Sequence, residues 1–130
     1  MMELEHIALV INDPNEVERF YGDLLGMHKV KELQLNRDLS ARVFGRDRET
    51  TVFQMQRNGL FVELFIAPEK HENSFRHICF SVNEREDFLE MAIQKGYEYI
   101  RISRTRSDLV FLKDGSGNMF EIIEKTPKTT

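Results

Sequence analysis

The segment GLFVELFIAP, residues 59–68, is almost entirely apolar, yet Glu63 places a carboxylate near its centre. Its length and its aliphatic and aromatic content predict a buried β-strand. An unpaired carboxylate in such surroundings is energetically costly, so Glu63 is expected to face a partner that holds its charge. The identity of that partner depends on what the rest of the chain places beside this strand.

The pattern around Glu63 occurs a second time near the end of the chain. FVELFI at 61–66 resembles MFEII at 119–123, and HIALVI at 6–11 matches HICFSV at 77–82. The matching segments come in the same order, which indicates two copies of one structural unit.

In the first copy, a strand at 4–11 is followed by a helix that Asp13 is expected to cap and Gly26 to end. The segment from 27 to 66 is predicted to hold three or four strands. SARVFGR at 40–46 is counted among them. The first copy therefore has the order β-α-β-β-β.

The second copy has the same predicted order. A strand at 75–82 is followed by a helix that Asn83 is expected to cap and Gly96 to end. Three more strands then follow, with the sequences YEYIRISR, DLVFLKD and NMFEIIEK.

These elements predict one α+β domain over residues 1–130. Two β-α-β-β-β repeats, at about 4–67 and about 75–124, are joined by a polar linker at 68–74. They are expected to form a curved mixed sheet with a concave face.

Composition and charge exclude several classes of protein. Hydrophobic residues make up 41% of the chain, which is enough for a packed core and argues against disorder. The net charge of −4 argues against nucleic acid as a partner. The single cysteine excludes an internal disulfide. Because no apolar run approaches 18 residues and no signal peptide is recognised, we expect a cytoplasmic protein without membrane contact.

Strand alternation places one histidine and one glutamate from each repeat on the same sheet face. The opposite face is consistently apolar and is expected to pack on the helix. Imidazole and carboxylate groups together are typical ligands of a divalent metal ion, so the curved mixed sheet is expected to surround a concave metal site. The alternative is a solvated face, which antiparallel sheets often expose. The four candidate ligands are His6, Glu63, His77 and Glu121.

The face that carries these ligands also predicts a substrate pocket. Its small residues are Ala8, Cys79 and Ser81. Its large residues are Phe61, Phe65 and Met119, with Phe53 and Met55 as further candidates. Such a wall suits a small molecule with an apolar part. The alternative is that the aromatic residues belong to the core.

Several stretches together resemble the vicinal oxygen chelate superfamily, which includes glyoxalase I, methylmalonyl-CoA epimerase, extradiol dioxygenases and the fosfomycin and bleomycin resistance proteins. The resemblance covers residues 4–124. Five stretches carry it: LEHIALVI, FYGDLLGM, FVELFIA, FRHICFSV and KDGSGNMFEII. The order His-Glu-His-Glu is most similar to bacterial glyoxalase I, because extradiol dioxygenases and fosfomycin resistance enzymes generally use two histidines and one glutamate.

The resemblance implies a metal-dependent lyase or isomerase that stabilises an enediolate by bidentate chelation. It implies His6, Glu63, His77 and Glu121 as ligands of one divalent ion, with Ni²⁺ as the first candidate and Zn²⁺, Co²⁺ or Mn²⁺ as others. One of the two glutamates would move the proton, and Glu121 is favoured over Glu63. A homodimer with the site at its interface is also implied.

The chain departs from the glyoxalase pattern at two positions that bind the glutathione carboxylate. Val10 and Ala67 stand where an arginine and an asparagine are usual. This departure argues against glutathione as part of the substrate. Two alternatives to the lyase follow: a metal-dependent epimerase or resistance transferase of the same fold, and a non-catalytic binding module similar to the bleomycin resistance proteins.

Overall fold

The computed structural model describes residues 2–68 and 76–125. The chain divides into two compact units, Met1–Lys70 and His71–Thr130. The predicted linker at 68–74 lies outside the described residues except for Pro68.

Over residues 2–68, the first unit contains one mixed sheet of four strands and two helices. In the sheet order β1-β4-β3-β2, β1 is parallel to β4 and the other neighbours are antiparallel. The strands are β1 (Ile7–Ile11), β2 (His28–Leu35), β3 (Thr50–Arg57) and β4 (Leu60–Ile66). The helices are α1 (Val17–Leu24) and α2 (Arg37–Phe44).

Over residues 76–125, the second unit has the same sheet topology with one helix. Its order β5-β8-β7-β6 again pairs the first and last strands in parallel. The elements are β5 (Ile78–Val82), α3 (Arg85–Gln94), β6 (Tyr99–Ile102), β7 (Leu109–Lys113) and β8 (Met119–Glu124). The predicted α+β class and the paired units are confirmed, and each unit has a sheet of its own.

Strand alternation gives the sheet of the first unit one buried face. Val62 and Leu64 in β4 are almost fully buried, whereas the side chain of Glu63 points to the other face and is 16% exposed. The buried face holds the core, as the consistently apolar pattern predicts.

The helix α1 is wound more loosely than an α-helix, because the amide of Leu25 donates to the carbonyl of Phe20, five residues back. Gly26 follows with a φ of +69°, and a Cβ there would meet the guanidinium of Arg57 at 2.7 Å. Arg57 donates to the carbonyl of Leu25 at 2.7 Å. The left-handed backbone and the nearby guanidinium therefore favour glycine where the helix ends, as predicted.

The predicted strand at 40–46 is wrong, since these residues belong to α2 and the turn after it. The side chain of Asn36 caps the helix by accepting a hydrogen bond from the amide of Leu39 at 2.8 Å. Gly45 ends the helix with a φ of +69°. These local signals outweigh the β-propensity of Val43 and its neighbours.

Two predicted helix caps are also wrong. Asp13 accepts a hydrogen bond from the amide of Asn15 at 2.9 Å, in the turn before α1, and does not cap the helix. In the second unit the position before α3 is Glu84, not Asn83, and it has a φ of +53° without a side-chain cap.

Within the described residues, none of the helices has the length and apolar character that crossing a bilayer requires.

Candidate metal centre

In the first unit, parallel pairing of β1 with β4 brings a histidine beside a glutamate. Ala8 lies opposite Glu63 in the register, and His6 precedes Ala8 by two residues, so it lies on the same face. The Nε2 of His6 lies 3.2 Å from Oε1 of Glu63. The structure therefore gives Glu63 an imidazole as its partner.

The second unit repeats this arrangement. Cys79 lies opposite Glu121 in the register of β5 and β8, and His77 precedes it by two residues. The Nε2 of His77 lies 3.5 Å from Oε1 of Glu121. The ring of His77 also packs edge-to-face on Phe111, with centroids 5.3 Å apart. The same residue types thus occupy the same strand positions in both units.

The donor atoms of each pair fit a shared metal ion. Two donors that lie about 2.1 Å from one ion, at angles of about 90 to 110°, are separated by about 3.0 to 3.4 Å. The measured separations of 3.2 Å and 3.5 Å are close to this range. Imidazole nitrogen and carboxylate oxygen are also a donor set that divalent transition metals accept.

Each pair alone offers fewer ligands than protein metal sites normally have. Among residues 2–68 and 76–125, no group of three or more His, Cys, Asp or Glu side chains is arranged to hold an ion. Zinc sites, for comparison, use three or four protein ligands. A complete site therefore needs more ligands than one pair supplies.

The structure divides the predicted pocket residues of the first unit between two faces. Phe61 and Phe65 share the face of Glu63. Phe53 lies opposite Leu64 and Met55 opposite Val62 in the register of β3 and β4, so both belong to the other, buried face. Placing Phe53 and Met55 beside Glu63 was wrong, because the hairpin register sets their parity.

In the second unit, Cys79, Ser81 and Met119 share the face of Glu121 by strand alternation. Desolvation, together with the negative charge of Glu121, raises the pKa of the Cys79 thiol. A thiol held in its protonated form is a poor nucleophile. Cys79 therefore serves as a small side chain beside Glu121.

A cavity of about 550 Å³ lies within the first unit, on the face that carries Glu63. Ala8 and Val10 from β1 and Phe65 from β4 form one side of it. Another part of the wall comes from α2, the turn after it and the start of β3, through Ser40, Phe44, Gly45, Arg46 and Thr50. Leu9 and Ala67 complete the wall.

Residues 3–122 match the Glyoxalase/Bleomycin resistance protein/Dioxygenase superfamily. The chain belongs to this superfamily. The match covers nearly the whole chain, so both units are part of the shared fold. A search of curated proteins finds no match.

Solved structures of superfamily members are similar to the chain. The fosfomycin resistance protein FosX from Listeria monocytogenes has a TM-score of 0.75 at 18% identity, over 97% of this chain and 95% of that chain. A mutant of FosX in complex with Mn(II) and 1S,2S-dihydroxypropylphosphonic acid has a TM-score of 0.76 at 16% identity. The match covers 97% of this chain and 94% of that chain. A glyoxalase family protein from Enterococcus faecalis has a TM-score of 0.69 at 18% identity, and the match covers 92% of this chain and 95% of that chain. At these identities the likeness establishes the fold.

The sequence did not identify the residues that α2, the turn after it and the start of β3 contribute to the cavity wall: Ser40, Phe44, Gly45, Arg46 and Thr50. If residues 40–46 formed a strand of the sheet, as predicted, no helix would cover the sheet face that carries Glu63. The asparagine before this segment and the glycine within it are the signals that would have shown a helix. In this member of the superfamily, α2 supplies one side of the cavity.

Proposed function

We propose that the chain is a metal-dependent lyase or isomerase of the glyoxalase type, with His6, Glu63, His77 and Glu121 as ligands of one divalent ion. One observation carries the proposal. The same imidazole–carboxylate pair recurs in both units, at separations of 3.2 Å and 3.5 Å that suit a shared ion. A solvated sheet face would not require the same two residue types at both equivalent positions.

When bound, the ion would act as a Lewis acid that stabilises negative charge on a substrate oxygen. A glutamate would take a proton from the carbon beside the carbonyl group and return it to the neighbouring carbon. Glu121 suits this role better than Glu63, because it is farther from its histidine and its side chain is 25% exposed against 16%. Glu63 would remain the more firmly held ligand.

The substrate is proposed to be an α-hydroxycarbonyl compound or a thioester. Val10 and Ala67, which replace the glutathione-binding residues of glyoxalase I, are both in the wall of the cavity. Without the arginine and the asparagine at these two positions, the wall lacks the groups that bind the glutathione carboxylate in glyoxalase I. Nickel as the preferred metal and a homodimer with the site at its interface stay predictions.

Metal content tests the ligand assignment. Protein purified without chelators or an affinity tag should contain about one ion per set of the four proposed ligands, and the His77→Ala variant should lose this ion. His28→Ala is the matched control, because His28 is exposed on β2 and belongs to neither pair. Absence of metal, even after nickel, zinc, cobalt or manganese is offered, would overturn the assignment.

Proton transfer tests the activity separately. Hemithioacetals and acyl-CoA esters would be incubated with the metal-loaded protein in D₂O, and deuterium incorporation followed by NMR. Glu121→Gln should abolish exchange, because an amide cannot accept the proton. Glu63→Gln should reduce it by weakening a ligand. Full exchange in both variants would contradict the mechanism.

A second candidate is a metal-dependent resistance enzyme that acts on fosfomycin. The similar FosX structure with Mn(II) and a dihydroxypropylphosphonic acid favours it. Loss of the fosfomycin ³¹P signal on incubation with the Mn(II)-loaded protein would support this candidate, whereas deuterium exchange in a carbonyl compound would support the lyase. Tight binding of a small molecule without metal and without turnover would indicate a binding module instead.

A further inference from the structure

The cavity of the first unit adjoins a candidate metal ligand. Ala8 lies directly opposite Glu63 in the register, and Phe65 lies two residues from Glu63 on the same face, about 7 Å along the strand. A molecule in the cavity could therefore place one end close to Glu63.

The side of the cavity formed by α2 is fixed to the sheet at several points. The hydroxyls of Ser40 and Thr50 share a buried hydrogen bond of 2.9 Å. The rings of Phe44 and Phe65 pack edge-to-face at 5.1 Å. Outside the cavity wall, Arg37 donates two hydrogen bonds to Asp47, at 2.6 Å and 2.8 Å, and so ties the start of α2 to the turn after it. The cavity is thus preformed, which lowers the entropic cost of binding.

The charge in the cavity wall is positive. Arg46 follows the left-handed turn at Gly45, and its amide donates to the carbonyl of Ser40 at 3.3 Å. The Nε of its guanidinium is buried. Among the described residues that line the cavity, Arg46 carries the charge and no carboxylate is present. Most of the wall is apolar, so an anion near Arg46 would be attracted more strongly than in water.

We propose that this cavity binds a small organic carboxylate, with Arg46 pairing with the carboxylate and the hydrocarbon part against Val10 and Phe65. A volume of about 550 Å³ is typical of small-molecule pockets. A guanidinium pairs with a carboxylate through two parallel hydrogen bonds. The proposal rests on the proposed function insofar as it names the substrate class: a carbonyl compound that also carries a carboxylate, with its reacting end towards Glu63.

Binding of phenylacetate to the full, metal-free chain tests the proposal. Removing metal with EDTA ensures that the carboxylate binds the protein and not an ion. The comparison ligand is phenylacetamide, which has the same shape without the charge. Titrations with either ligand, followed by ¹H–¹⁵N NMR, should change the chemical shifts of the amides of residues 40–50. Phenylacetate should bind roughly tenfold or more tightly than phenylacetamide.

Variants identify the group responsible. Arg46→Met should remove the preference for the acid, and Arg46→Lys should restore part of it. Arg48→Met is the matched control, because Arg48 is exposed and does not line the cavity. Val10→Phe should fill the cavity and prevent binding of both ligands. The amide spectrum of each variant shows directly whether it is folded.

Three outcomes would overturn the proposal: equal affinity for acid and amide, an equal loss of preference in Arg48→Met, or shifts that lie away from residues 40–50. Metal binding by the same preparation is measured separately. If metal binds and phenylacetate does not, this inference fails and the proposed function stands. If phenylacetate binds and no metal does, the proposed function fails while the carboxylate site remains.

Discussion

The buried hydroxyls of Ser40 and Thr50 join α2 to β3 through one hydrogen bond of 2.9 Å. Ser40→Ala leaves the Thr50 hydroxyl buried without this partner, and should lower the free energy of unfolding by about 1 to 2 kcal/mol. Urea denaturation measures the change. Thr51→Ala is the matched control, because it removes two exposed hydrogen bonds with Gln34, one accepted and one donated by the Thr51 hydroxyl, and should cost less than about 0.5 kcal/mol. Equal losses in the two variants would show that burial does not govern the effect.

For individual residues, the sequence predicted the positions of those in strands better than the positions of those in a turn or a helix. His6 and Glu63 could be placed together because strand parity and the repeat needed no knowledge of distant contacts. Phe53 and Met55 were misplaced, because the parity of a hairpin strand depends on register, which the turn determines. Arg46 could not be found at all without the helix before it.

The helix α2 depends on its cap, because it is short and much of its surface is exposed. Asn36→Ala removes the hydrogen bond to the amide of Leu39 and should lower the free energy of unfolding by about 1 kcal/mol. Asn36→Asp keeps an acceptor at the same place and should be close to neutral. Hydrogen exchange should show faster opening of α2 in the alanine variant. Unchanged exchange there would show that packing on the sheet, not the cap, holds the helix.

A network of three charges joins α3, β6 and the residue before β7 in the second unit. Arg101 donates to Glu86 at 2.9 Å and to Asp108 at 2.7 Å. These hydrogen bonds lower the pKa of both carboxyl groups. The folded state therefore binds fewer protons than the unfolded state in acid. The network's contribution to stability is present above the ordinary pKa values of 4.5 and 3.8. It is lost as pH falls through the lowered ones.

Arg101→Gln should therefore reduce the steepness with which the free energy of unfolding falls on acidification below about pH 5. Urea denaturation at a series of pH values measures the slope. High salt should shrink the difference between wild type and variant, since the three side chains are close to solvent. Parallel curves for the two proteins would show that the network adds nothing in acid.

At the scale of the whole molecule, internal repetition was the strongest signal in the sequence. It predicted two units of one topology, because each must bury the apolar face of its own sheet. The extra helix of the first unit breaks the symmetry. Repetition could not reveal this helix, because residues 76–125, the described part of the second unit, contain no counterpart. The cavity wall thus comes from the part of the chain where the two copies differ.

Metal binding should stabilise the folded chain in a way that reports how many ligands act together. An ion at about 100 times its Kd adds about 2.7 kcal/mol, which should raise Tm by roughly 10 °C. If one ion uses both pairs, His6→Ala and His77→Ala should each abolish the whole increase, and their metal contents should fall together. If each pair holds its own ion, either variant would keep about half of the metal and part of the increase. Differential scanning calorimetry with and without metal, alongside elemental analysis, separates these outcomes, and His28→Ala should behave as wild type.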